Sequence, residues 1–169
     1  MTELKINAEL DITGADKYED DKVIKLGRSL SSLYHENETI RRNINKLKKE
    51  IHADLYGSNK IIDTTNLNKI HTLNLSFSSV SDVSNLLSLN TLDITNCGFV
   101  TDVSKLGSLH TLDLTGCNVT DISNLGSLHT LILTNYMNIT DVGMLGKLHT
   151  LGLSGCKNII DVSNSTIFK

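Results

Sequence analysis

One motif returns through most of this chain at a nearly constant interval, and that constrains its fold more than any other feature. The segment Ile70-His71-Thr72-Leu73 recurs at Leu89, Leu109, Leu128 and Leu148, with spacings of 19, 20, 19 and 20 residues. The copy at 109–127 reads LHTLDLTGCNVTDISNLGS. A worn earlier copy keeps the register, because Leu55, Gly57, Ile61, Ile62 and Asp63 match Leu153, Gly155, Ile159, Ile160 and Asp161. In each copy the pattern L-x-x-L-x-L alternates, which gives a short strand with one buried face. Leu109, Leu112 and Leu114 are expected inward, Thr111, Asp113 and Thr115 outward. A unit this short cannot bury its own apolar face, so neighbours must stack into a continuous core. The expected result is a solenoid with parallel strands at about 4.8 Å spacing. The return segment, such as Ile122–Gly126, has room only for a turn or one 3₁₀ turn.

The full motif, L-x-x-L-x-L-x-x-C/N-x-I/V-T-D, resembles the leucine-rich-repeat consensus over about residues 50–169. Cys97, Cys117 and Cys156 stand where that family usually has Asn. The phrasing L-H-T-L-D-L-x-x-C is also similar to repeats in giant DNA viruses of the mimivirus group. Ser78 and Tyr136 depart from the Asn/Cys position, and the last repeat ends SNSTIFK without its Leu-Gly. The resemblance implies an α/β solenoid with a parallel sheet on its concave side and a protein-binding role.

Charge separates two regions. Residues 1–51 carry ten acidic and ten basic side chains, whereas 52–169 carry nine Asp, six Lys and neither Glu nor Arg. Residues 1–22 read as an acidic, partly disordered arm. From Val23 the apolar spacing alternates three and four: Val23, Leu26, Leu30, Leu33, Asn37, Ile40, Ile44, Leu47 and Ile51. That pattern predicts a long helix over 23–51 with a coiled-coil seam and Asn37 setting register, hence a homodimer. The alternative is a helix capping the open end of the solenoid. Clear repeats then begin at 70, 89, 109, 128 and 148, behind the degenerate one at about 50–69.

Stacking turns each repeat position into a row. The cysteines are expected to be structural thiols, since Tyr136 interrupts the row that a metal would need. Asp63, Asp82, Asp102, Asp121, Asp141 and Asp161 are expected to cap the backbone N–H groups of the return turns. His71, His110, His129 and His149, with Asn90 in the gap, are expected to stack at the strand entrance; no carboxylate completes a zinc site there. No nucleophile elbow, phosphate-binding glycine loop or H-E-x-x-H is present, so no enzyme, cofactor or metal is expected.

What remains is a surface. The outward positions Asn74, Phe77, Asp93, Asn96, Asp113, Ile132 and Asn135 are the candidate partner-binding residues, suited to a basic and apolar patch on a protein. Other classes are a substrate receptor for ubiquitin ligation, a structural protein assembling end to end, and a surface adhesin. The net charge of -3 gives no reason to expect nucleic acid, which calls for a clustered basic face. No run of 18 apolar residues exists, so no membrane span is expected. MTELKINAEL lacks an apolar core behind a basic start, and three cysteines make no disulfide framework. Together these point to a cytoplasmic location, in a host cell if the protein is viral.

Overall fold

The computed structural model describes residues 23–26, 50–58, 64–67 and 70–159. Seven parallel strands form one sheet in sequence order: β1 (Val23–Leu26), β2 (Glu50–Asp54), β3 (Thr72–Asn74), β4 (Thr91–Asp93), β5 (Thr111–Asp113), β6 (Thr130–Ile132) and β7 (Thr150–Gly152). From β2 onward the pairing is in repeat register. Leu73 lies beside Leu92, then Leu112, Leu131 and Leu151. The worn copy also holds this register, with Ala53 beside Leu73.

Each strand is only three residues long from β3 to β7, yet the ladder continues past it. Leu75 N–H donates to Asp93 O at 2.8 Å, Leu114 to Ile132 O at 3.0 Å and Leu133 to Gly152 O at 2.8 Å. Alternation works as expected: Leu112 and Leu114 are buried, while Thr111 and Asp113 between them are half-exposed. The equivalent leucines of neighbouring repeats join them in one core. Burying a Leu side chain contributes about 1.5–3 kcal/mol, so repeats that cannot stand alone are stabilised through their neighbours.

Return segments close the coil with two successive i→i+3 turns rather than one. Leu106 N–H donates to Val103 O and Leu109 N–H to Leu106 O, both at 3.0 Å. Ile122, Leu125 and Leu128 repeat the arrangement, as do Val142, Leu145 and Leu148. The spacing of three in Val-x-x-Leu-x-x-Leu, the period of 3₁₀ geometry, places these three side chains inward, whereas Leu87 and Met144 between them are exposed. In the first repeat a 3₁₀ turn spans Thr64–Leu67.

At both ends of the segment 23–51 the structure differs from the expected helix. Val23 and Leu26 lie in β1 and Ile51 in β2, and the two strands pair in parallel, Val23 beside Glu50 and Leu26 beside Ala53. Without β1, β2 would be a bare sheet edge with unpaired N–H and C=O groups. The β-branched Val23 and Ile24 suit a strand that covers it. The other seam positions, Leu30, Leu33, Asn37, Ile40, Ile44 and Leu47, lie outside the described residues, as do the arm 1–22, Asp63 and Asp161.

Candidate protein-binding surface

Three columns of outward side chains run across the sheet. Thr72, Thr91, Thr111, Thr130 and Thr150 are in register along one side. Four residues further along each repeat, Ser76, Thr95, Thr115, Thr134 and Ser154 form another. Between them lies the column that varies: Asp54, Asn74, Asp93, Asp113, Ile132 and Gly152. From β3 to β7 the flanking columns are Ser or Thr throughout, so there the middle column carries the chemical difference; in the β2 repeat the flanks are His52 and Tyr56. The middle column is Asp or Asn over β2–β5 and apolar at β6, where Ile132 leans over Gly152; a Cβ there would lie 3.4 Å from Ile132 Cγ2. Ser76, expected outward, is buried.

The Asp and Asn residues of this column also hold the strand ends. One carboxylate oxygen of Asp93 accepts the Thr95 N–H at 2.9 Å, and Asp113 does the same for Thr115 at 2.9 Å. Asp54 takes the Tyr56 N–H at 3.0 Å and Asn74 the Ser76 N–H at 2.9 Å; the Ser76 hydroxyl also donates to Asn74 Oδ1. These are Asx turns, in which a short polar side chain satisfies the backbone two residues on. Ile132 has no acceptor, and the Thr134 N–H turns instead to Thr115 Oγ1 at 3.4 Å.

Phe77, Asn96 and Asn135 do not belong to the concave strands, contrary to the expectation from alternation. All three occupy the turn that leaves the strand and have positive φ, at 59°, 57° and 54°. Gly57, Gly116 and Gly155 fill the same position in the other described repeats at 66°, 71° and 74°. Each described repeat therefore passes through the left-handed region at this position, which favours Gly and tolerates Asn. The stacked turns interlock as well. A Cβ on Gly116 would land on the side-chain oxygen of Asn96, and one on Gly155 on that of Asn135. The signal was present in the sequence as a Gly/Asn-only position broken by Phe77, but strict alternation counted it as part of the strand face.

Behind the turns, the cysteine row behaves as structural thiols. Cys97 Sγ donates to Leu75 O at 3.0 Å, Cys117 to Ile94 O at 2.9 Å and Cys156 to Leu133 O at 2.7 Å, each reaching the preceding repeat. All three thiols are free. Burial pushes the Cys97 thiol up and the Cys117 thiol up to about 12, so neither is a nucleophile near neutrality. Tyr136 replaces the thiol with a phenol that crosses the core to donate to Val119 O at 2.9 Å; burial raises its pKa too.

The second aspartate row caps the return turns. Asp82, Asp102 and Asp121 each accept the N–H of the Ser two residues on at 2.8 Å, and Asp141 accepts that of Gly143 at 2.7 Å. Those backbone N–H donors hold the Asp102 and Asp121 carboxyls below the usual carboxylate range. At the strand entrance the imidazoles stack: His110 and His129 are 3.8 Å apart at 7°, His129 and His149 4.9 Å apart at 8°. His129 Nδ1 meets Ser127 O at 3.0 Å and His149 Nδ1 meets Lys147 O at 2.8 Å. Among the described residues no cluster of three or more His, Cys, Asp or Glu is placed to hold a metal. None of their helices is long and apolar enough to cross a membrane.

In-register short strands, i→i+3 return turns and a donor row between repeats define a leucine-rich-repeat solenoid. Among solved structures the chain is similar to internalin C2 of Listeria monocytogenes, with 29% identity and a TM-score of 0.53, over 75% of this chain and 67% of that one. It is also similar to a second internalin of the same species, with 25% identity and a TM-score of 0.51, over 85% of this chain. The chain spans half the length of that second protein. No protein-family model matches the sequence, and no curated protein matches it.

Proposed function

We propose that this chain is a non-enzymatic protein–protein interaction module that recognises its partner on the concave face of the sheet. The middle column carries the reading: over β3–β7, between two Ser/Thr columns, it alone changes from Asp and Asn to Ile and Gly. Strands β2 to β7 contain no Lys or Arg, so the face suits a partner with a basic region beside an apolar one. The similarity to internalins supports an interaction role. Asn74, Asp93, Asp113 and Ile132 are its contact residues, whereas Asn96 and Asn135 are turn residues at its rim.

The test places charge on the face without touching the turns. Thr111→Arg/Thr130→Arg alters two half-exposed outward positions; Asn124→Arg alters an exposed return-segment position as a control. In pull-downs from native lysate, the wild type and the control should retain a common protein that the double variant loses. Equal capture by all three would reject concave recognition.

Three finer readings accompany this one. Dimerisation would rest on Leu30, Leu33, Asn37, Ile40, Ile44 and Leu47, since Val23, Leu26 and Ile51 are committed to strands. Sedimentation of the same preparation decides it, with a mass twice 18.6 kDa expected for a dimer and a monomer mass rejecting it. A reducing, cytoplasmic compartment fits three thiols that all work as S–H donors. The giant-virus resemblance rests on repeat phrasing alone, and the similar solved structures are bacterial; identifying the source genome would test it.

A further inference from the structure

The backbone fixes the tautomer of one imidazole in the strand-entrance column. His129 Nδ1 lies 3.0 Å from Ser127 O. A carbonyl oxygen only accepts, so Nδ1 carries the hydrogen and Nε2 keeps its lone pair. His149 repeats the arrangement on Lys147 O at 2.8 Å. A metal-ligating His almost always gives its other ring N–H to a carboxylate or a backbone carbonyl. That bond orients the ring and raises the basicity of the ligand nitrogen. His129 thus has the outer half of a ligand's environment in place. Its ring is half-exposed, and among the described residues no donor meets its Nε2.

His110 supplies a second nitrogen at a suitable distance. Its ring lies 3.8 Å from that of His129, with the planes 7° apart. Two nitrogens bound to one tetrahedral Zn²⁺ at about 2.0–2.1 Å stand about 3.4 Å from each other. The stack is close to that separation, whereas the His129–His149 pair at 4.9 Å is about 1.5 Å too wide. His110 is exposed, and among the described residues no hydrogen bond commits either of its ring nitrogens. It is therefore free to turn its Nε2 to the side of His129 Nε2. Lone pairs of stacked rings run parallel, and small rotations of the two rings make them converge. The broad χ2 well of His means that this costs little.

We propose that His110 and His129, through their Nε2 atoms, bind a divalent transition ion of the zinc class at the strand-entrance rim. Among the described residues no third His, Cys, Asp or Glu joins them, so water fills the remaining positions. A column without a carboxylate cannot close a structural zinc site, but it can hold an ion whose other positions stay open. Neutral imidazole selects Zn²⁺, Cu²⁺ or Ni²⁺ over Mg²⁺ and Ca²⁺, which prefer oxygen ligands. The site is independent of what the concave face binds.

The test is a Zn²⁺ titration of the intact chain at neutral pH, followed through the ring-nitrogen NMR signals of the histidines, with Mg²⁺ as the comparison ion. Saturable shifts are expected at Nε2 of His110 and His129 with Zn²⁺, and none with Mg²⁺. His110→Gln and His129→Gln should each abolish the saturable shift at the remaining ring, while His149→Gln keeps both. Amide spectra taken without metal check that each variant is folded, and the wild-type titration decides the matter even where one is not. No saturable shift at either ring of the wild type overturns the site, as does an unchanged shift at His110 in His129→Gln. Shifts that survive His110→Gln but vanish in His149→Gln also overturn it, since the wider pair would then hold the ion.

Discussion

Gly116 has no room for a side chain. Its φ of 71° disfavours any Cβ, and the space a Cβ would take is held by the amide oxygen of Asn96 in the repeat below. Gly116→Ala should therefore destabilise the chain by about 2–3 kcal/mol, combining left-handed strain with the steric conflict. Asn96→Gly in the same chain should recover part of that loss, since it removes the conflict and leaves the strain. Chemical denaturation of the two single variants and the double gives the coupling; strictly additive effects would mean that the turns do not interlock. At this scale much was legible in the sequence. The inward leucines, the capping aspartates and the structural thiols followed from alternation and from side-chain chemistry. The turn residues did not, because a left-handed φ changes direction within a motif whose apolar period continues undisturbed through Leu75, Ile94 and Leu114.

Return segments are the elements most exposed to pH. Asp102 and Asp121 have carboxyls lowered by the N–H groups of Ser104 and Ser123. Their stabilisation is full above the unfolded value of about 3.9 and fades as pH falls through the lower folded values. Both side chains are solvent-exposed, so the effect is local fraying of the return turns. Melting temperature should stay level from neutrality to about pH 5 and fall below pH 4. In Asp102→Asn/Asp121→Asn, where the amide oxygen keeps the cap without a titrating group, the fall should be shallower; identical acid profiles would remove these caps from the account. Residue count alone left room for only a turn or one 3₁₀ turn; the spacing of three in Val103, Leu106 and Leu109, which allows two successive turns, was not read from the sequence. At the other end of the chain, the three–four spacing over 23–51 pointed to a helix. Yet Val23-Ile24-Lys25-Leu26 is short and β-branched enough to pair with β2, and the open sheet edge there rewards doing so.

For the molecule as a whole, one sheet and one core run through all the described repeats, and no repeat is complete without the next. The strands supply the ladder, the leucines the apolar stack, and the thiols and Tyr136 a second set of bonds between repeats. This continuity was the most legible property of the sequence, because a fixed period with an alternating strand has few other solutions. The partner was the least legible, since Ser/Thr columns serve sheet formation and recognition alike. A surface built on such a stack is rigid only if the repeats open together. Amide hydrogen exchange on the intact chain measures this directly at Leu75, Leu114 and Leu133, whose N–H groups each bond to the following repeat. Protection at all three with closely similar opening free energies is the predicted result. Exchange at the rate of unstructured amides, or repeats that open independently of one another, would contradict the continuous solenoid and the concave surface it supports.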